Sequence, residues 1–215
     1  MKVYLVRHGE TKWNTKGKLQ GWSDVALNED GVRQAQMTAE GMKDIPFDIL
    51  FSSPLKRALV TGLIIKEDRD IPVIKDDRLR EINFGVMEGR CSRKLRDNPK
   101  YTRFFRMVSD PARYRAPKYG ENMYQVGERI YDFYQKEVLP LEGKYENVLI
   151  TAHGGCLHGL IQMIKQQDVS HYWDSPFGCN CSVAIIEVKD GTSTFLTEND
   201  VFYETDQKNW SWEVY

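Results

Sequence analysis

Two segments of this sequence combine histidine, cation and glycine in a way that suits an anion: Arg7-His8-Gly9-Glu10 near the start, and Ala152-His153-Gly154-Gly155 far along the chain. A third, Ser52-Ser53-Pro54-Leu55-Lys56-Arg57, adds another arginine. Guanidinium forks pair bidentately with phosphoryl oxygens, and helix N-termini that follow such segments add backbone donors. Gathered in one place, Arg7, Arg57, His8 and His153 suit a dianionic phosphoryl group; a neutral ligand would not need them. Unprotonated imidazole is a good nucleophile, and a covalent intermediate divides one hard displacement into two easier ones. His8 is the candidate nucleophile, with Gly9 letting the phosphate approach the backbone. Arg7, Arg57 and His153 then face the charge that spreads over the equatorial oxygens in the transition state, and a nearby carboxylic acid must protonate the leaving alkoxide.

Bringing these residues together takes three strand ends on one edge of a sheet. Residues 2–6 read as a buried strand that ends at Arg7-His8-Gly9, residues 48–51 as a second, and residues 147–151 as the clearest one, ending at His153. Asn28 can cap a helix with Glu29 and Asp30 in its first turn and Val32, Ala35, Ala39 and Met42 on one face. Ser53-Pro54 suits the start of another helix, with Arg57 in its first turn, and a short extended piece at 72–75 follows. Residues 124–138 predict a helix stopped by Pro140, and residues 156–164 an apolar one. Residues 182–188 and 193–197, around Asp190-Gly191, predict a terminal hairpin.

This alternation predicts a three-layer α/β/α sandwich with a mostly parallel central sheet and a C-terminal hairpin, binding its ligand at the strands' carboxyl ends. The length suits a single domain over 1–215, with an irregular insertion at about 90–122 placed to cover the site as a lid.

Composition narrows the partners. With 30 basic and 31 acidic residues the net charge is −1, and the two signs are interleaved, so no nucleic-acid partner is expected. The one basic run, within 90–115, carries Tyr101, Phe104, Phe105 and Tyr114 between its charges and reads as a lid that sorts anionic substrates, more than as a stacking platform for nucleic acid. No stretch approaches the roughly 20 apolar residues a bilayer requires, and no signal-peptide core precedes Arg7, so membrane association and secretion are not expected. Four cysteines without such a signal suit reduced thiols and a cytoplasmic location. Cys179-Asn180-Cys181 lacks metal-ligand spacing, and His158 and His171 lack motif partners, so structural or exposed places are expected for them.

Four motifs, taken in chain order, resemble the histidine phosphatase superfamily in its phosphoglycerate mutase-like branch. They are residues 6–14 with 19–24 and 27–31, residues 52–58, residues 81–89, and Ala152-His153-Gly154-Gly155. The resemblance implies a phosphoglycerate mutase-like fold, phosphorylation of His8, and phosphoryl binding by Arg7, Arg57 and His153 with Gly154 beside it. It selects Glu81, which composition and spacing alone do not, as the acid that protonates the leaving group and then activates water, and it places Asn14 and Gln20 near the phosphate. It implies no metal and no cofactor, a small phosphorylated metabolite as substrate, and leaves a homodimer open. Gln20 stands where the mutases usually carry threonine, and the span from Glu81 to Glu121 is short for the mutase insertion. Both features favour a phosphatase, of broad specificity or acting on ribazole phosphate. The alternative is a cofactor-dependent phosphoglycerate mutase, and a remoter one is a catalytically silent phosphate-binding module.

Overall fold

Strand β1 (Lys2–Arg7) is apolar from Val3 to Val6 and buried from Val3 to its end, as a strand covered on both faces must be. In the computed structural model, which describes residues 1–204, it lies inside a six-stranded sheet with β2 (Ile49–Ser52), β3 (Val73–Lys75), β4 (Asn147–Ala152), β5 (Val183–Lys189) and β6 (Thr192–Asp200). Residues 205–215, the end of the predicted domain, lie outside the described residues. The strand order is β3-β2-β4-β1-β5-β6; β1 to β4 run parallel, and β5 and β6 form the antiparallel hairpin. Asp190 and Gly191, both at positive φ, join Lys189 to Thr192, the two-residue turn whose twist suits a hairpin.

Side chains alternate across this sheet and divide the core in two. Val3 and Leu5, with Val148 and Ile150 of β4 and Phe51 of β2, join the side covered by α6 (Met123–Phe133) and α7 (Gly154–Ile164). Tyr4, Val6, Leu50 and Leu149 join the side covered by α2 (Glu29–Gly41) and α3 (Lys56–Lys66). The three layers follow from that division. In register, Arg7 pairs with Ala152 and Ser52 with Thr151, so the carboxyl ends of β1, β2 and β4 are neighbours.

Several boundaries depart from the sequence reading. The loop after β1 contains α1 (Lys12–Thr15), a single turn closed by a capping box between Thr11 and Asn14. In α2 the buried face is Gly31, Ala35, Thr38 and Ala39, with Val32 at its edge. Helix α3 starts at Lys56, after Pro54, because the Ser53 N–H continues the sheet to the Thr151 carbonyl (3.0 Å). Arg57 still falls in its first turn. Helix α6 widens at residues 134–138 into a π turn and closes in a 3-10 turn that contains Pro140. Pro140 has no N–H to give the Lys136 carbonyl, which disrupts the regular ladder there. Helix α7 begins at Gly154, two residues early, with His153 as its N-cap.

Within 90–122 lie α4 (Ser92–Arg96) and α5 (Thr102–Ser109). Phe104 and Tyr114 are buried here, with Phe104 stacked edge-on against both Tyr114 and Phe84 (6.1 Å each). Among the described residues no helix is long and apolar enough to cross a membrane.

Candidate active site

His8 stands one residue beyond β1, and its backbone is held from two sides. Its N–H donates to the Ala152 carbonyl (3.0 Å), and its carbonyl accepts from Asn180 Nδ2 (2.9 Å). Cys181 N–H meets the Arg7 carbonyl (3.1 Å), so the segment Cys179-Asn180-Cys181 braces this strand end; its two cysteines are buried and not in a disulfide. The His8 ring is buried, and its Nδ1 lies 2.7 Å from the Gly9 carbonyl. Only a protonated Nδ1 makes that a hydrogen bond, which leaves the lone pair on Nε2. Burial first, then Arg57 and Arg7, hold the His8 pKa well below its ordinary 6.5, so the ring is neutral at pH 7.

Gly9 is required by a packing contact. A Cβ there would come within 2.4 Å of the Gly31 carbonyl, and its N–H donates to Thr61 Oγ1 (3.0 Å). Its missing side chain makes room for α2.

Arg57 is fully buried, and its guanidinium is shared among three acceptors: Nε donates to His153 Nδ1 (3.1 Å), Nη1 to the Ser23 carbonyl (2.8 Å) and Nη2 to the Gly21 carbonyl (2.7 Å). Each terminal nitrogen keeps a second N–H. Burial lowers its pKa to about 10, which leaves it a cation at neutral pH. Because His153 Nδ1 accepts, its Nε2 carries the proton and donates to Ser53 Oγ (2.8 Å). Burial, then Arg57 and His8, keep His153 neutral as well. The two imidazoles lie 5.1 Å apart between ring centroids.

Glu81 faces the N-terminus of α7. Its carboxylate accepts from Ile82 N (2.9 Å), Cys156 N (2.9 Å) and Gly155 N (3.1 Å). A Cβ on Gly155 would fall 2.6 Å from Glu81 Oε1, so glycine is what admits the carboxylate to the helix end. Arg129 of α6 holds the same loop by donating to the carbonyls of Arg78, Arg80 and Glu81, while paired with Glu121. Glu88 gathers Trp22 N, Ser23 N, Ser23 Oγ and Phe84 N, and so fixes the Gly21 to Ser23 carbonyls that receive Arg57.

One pocket brings together Arg7, His8, Asn14, Gln20, Arg57, Glu81 and Gly154. His153 lies behind them, against His8 and Arg57. Asn14 does double duty: its Oδ1 caps α1 through Thr11 and accepts from Gln20 Nε2 (3.0 Å). Two further lining residues, Lys18 and Trp173, lie outside every motif of the sequence reading, and Phe84 and Ser92 fall inside residues 81–89 and 90–122 without being singled out there. Of the 90–122 segment, Ser92 lines this pocket, whereas Arg103, Arg106, Arg113 and Arg115 surround a separate groove. The segment's aromatics support the pocket from behind: Phe104 packs on Phe84, and the Met107 carbonyl receives Trp173 Nε1 (2.7 Å). His158 is buried against Trp173 and Phe177, and His171 is exposed.

The site as built can hold a phosphoryl group among cations and backbone donors, opposite a neutral imidazole with its lone pair on Nε2. Comparison with known proteins agrees in kind. The family model described as "Histidine phosphatase superfamily (branch 1)" matches residues 3–201. Phosphoserine phosphatase 1 of Hydrogenobacter thermophilus is 32% identical over 93% of this chain and 92% of its own length. A 2,3-bisphosphoglycerate-dependent phosphoglycerate mutase of Cytophaga hutchinsonii is 33% identical over 79% and 81%. The solved structure of Bacillus stearothermophilus YhfR superposes with a TM-score of 0.86 and 36% identity, covering 93% of this chain and 97% of that one.

Proposed function

Because this chain belongs to branch 1 of the histidine phosphatase superfamily, we propose that it hydrolyses small phosphate monoesters through a phosphohistidine on His8. The observation that carries the proposal is the His8 ring: its Nδ1 proton rests on the Gly9 carbonyl, and the ring lines a pocket that also holds Arg7 and Arg57. In the first step the Nε2 lone pair attacks phosphorus, the ester P–O bond breaks, and Glu81 gives its proton to the departing oxygen. The bond from Nδ1–H to the Gly9 carbonyl stabilises the positive charge that the ring acquires. Arg7 and Arg57 face the equatorial oxygens, with Gly154, Asn14 and Gln20 at their margin, and His153 serves phosphoryl binding from behind, by accepting from Arg57 Nε and so aiming its guanidinium. In the second step the Glu81 carboxylate takes a proton from water as water attacks phosphorus; the N–P bond breaks, releasing phosphate and restoring neutral His8.

The two arginines supply the charge neutralisation that a divalent cation provides at other phosphoryl sites, so the reaction proposed is metal-independent, in the manner of a histidine acid phosphatase. The 90–122 segment is proposed to cover the site, through the buried Ser92 in the pocket lining and the packing of Phe104 on Phe84. The location proposed is cytoplasmic.

Similarity to the mutases keeps phosphoglycerate interconversion as the second reading. A mutase must grip the substrate's carboxylate and return the phosphoryl group to a second hydroxyl. Arg103, Arg106, Arg113 and Arg115 stand at another groove, and Lys18 is the one lysine lining this pocket, which favours water as the acceptor. Purified protein supplied with aryl phosphate, phosphoserine and phosphoglycerates in parallel should release inorganic phosphate. Rapid phosphoglycerate interconversion with no monoester hydrolysed would overturn the proposal.

A further inference from the structure

We propose that the groove between α5 and the N-terminus of α6 binds a small oligophosphate, at a site separate from the catalytic pocket. Arg103 and Arg106, one helical turn apart on α5, stand there with Arg113 and Arg115 from the turn that follows. Asn122 and the half-exposed ring of Tyr124, at the start of α6, form the other wall. The groove has a volume of about 630 Å³ and shares no lining residue with the catalytic pocket.

Two arginines elsewhere show the usual arrangement, with carboxylates against them. Arg78 meets Asp76, Asp132 and Glu137, and Arg129 meets Glu121. Among the described residues, the ion pair formed by the groove's arginines is that of Arg113 with Asp110, at 3.8 Å. The guanidinium groups of Arg103, Arg106 and Arg115 have no hydrogen-bond or ion-pair partner among the described residues. Like charges one turn apart on a helix repel, and four guanidinium groups around one concavity are an arrangement that only an anion relieves.

Adjacent phosphoryl groups match four arginines lining one groove best, because each guanidinium fork takes two oxygens. A nucleic acid, by contrast, is met by a stripe that follows its backbone, and this chain, at net charge −1, has its opposite charges interleaved. The pocket is also large enough to admit an organic group beside Tyr124.

Titration calorimetry with sodium tripolyphosphate on the whole protein, at constant ionic strength, tests the site. The variant R103S/R115S changes two exposed side chains remote from the catalytic residues, so its aryl phosphatase kcat/KM should match wild type. The expected result is tripolyphosphate binding to wild type that weakens at least about tenfold in R103S/R115S, while competitive inhibition at the catalytic pocket is unchanged. Equal binding by wild type and R103S/R115S would overturn the proposal. So would a short single-stranded DNA that displaces tripolyphosphate and binds more tightly at the same salt, since the groove would then be a nucleic-acid surface.

Discussion

Glu81→Gln keeps the shape of the side chain and removes the proton that the leaving group needs. Oε1 accepts from both Ile82 N and Cys156 N, bonds that an amide oxygen retains, but Oε2 accepts from Gly155 N, where the amide NH2 would set donor against donor. One orphaned N–H at a buried helix end costs about 1–3 kcal/mol, so E81Q should unfold at slightly lower urea concentration and still fold. Catalysis should suffer more, and unevenly. General acid assistance is worth roughly 10²–10⁴-fold for a poor leaving group, about 3–5 kcal/mol of barrier, and close to nothing for a phenolate that leaves unaided. Stopped-flow measurements should therefore show E81Q losing that factor with an alkyl phosphate, yet giving a phenolate burst at nearly wild-type rate with an activated aryl phosphate. A slow steady state should follow that burst, since Glu81 also activates the water. An equal loss in the first turnover for both substrates would show that Glu81 positions the loop and does not donate the proton.

Other substitutions probe the remaining parts. Arg57→Lys keeps the charge but cannot span His153, Gly21 and Ser23 from one nitrogen; kcat/KM for aryl phosphate should fall about 10²–10³-fold, and a change within threefold would remove the guanidinium fork from the mechanism. Gly155→Ala places a methyl 2.5 Å from Ile82 Cδ1 and 2.6 Å from Glu81 Oε1. It should lower kcat at least about tenfold with little change in KM, and wild-type kcat would contradict the proposed position of the acid. Acid stability reports the buried imidazoles. His8 and His153 are held well below 6.5 and His158 is lowered to about 3, chiefly by burial, so each takes up its proton more readily in the unfolded chain. Unfolding free energy should be at its full value above about pH 6.5 and fall as the pH drops below it, by up to about 1.4 kcal/mol per pH unit for each of the three. Urea titrations at pH 7.5 and pH 5 check this, and equal stability at both would mean that the rings are protonated in the fold.

Much of this arrangement is legible in the sequence, for definite reasons. Residues 2–6 and 147–151 are unbroken β-prone runs, each ending at a histidine motif, which is enough to place His8 and His153 at neighbouring strand ends. Asn28, Glu29 and Asp30 announce α2 by local capping, and Asp190-Gly191 announces the hairpin turn. Short-range signals fail where distant residues decide. Ser53 stays extended because Thr151, far away in sequence, receives its N–H, and so α3 starts late. Gly9 reads as room for phosphate, whereas the contact that requires it is Gly31 on α2. Arg129 acts on the site through a loop it does not belong to, and Trp173 reaches the pocket from beyond α7; neither carries a local mark, and Glu88, though inside residues 81–89, gives no sign in the sequence that it holds Trp22 and Ser23. The basic run at 90–115 reads as a substrate-sorting surface, yet four of its arginines surround a groove of their own.

The central claim is a covalent bond between His8 and phosphorus. Quenching the wild-type enzyme during turnover of an aryl phosphate, then locating the added phosphoryl group by mass spectrometry under mildly basic conditions, tests it directly. The account predicts an acid-labile, base-stable phosphoryl group on the peptide that contains His8, together with its loss and the loss of turnover in His8→Ala. Turnover in His8→Ala at the wild-type rate, or a phosphoryl group on any other residue, would contradict it.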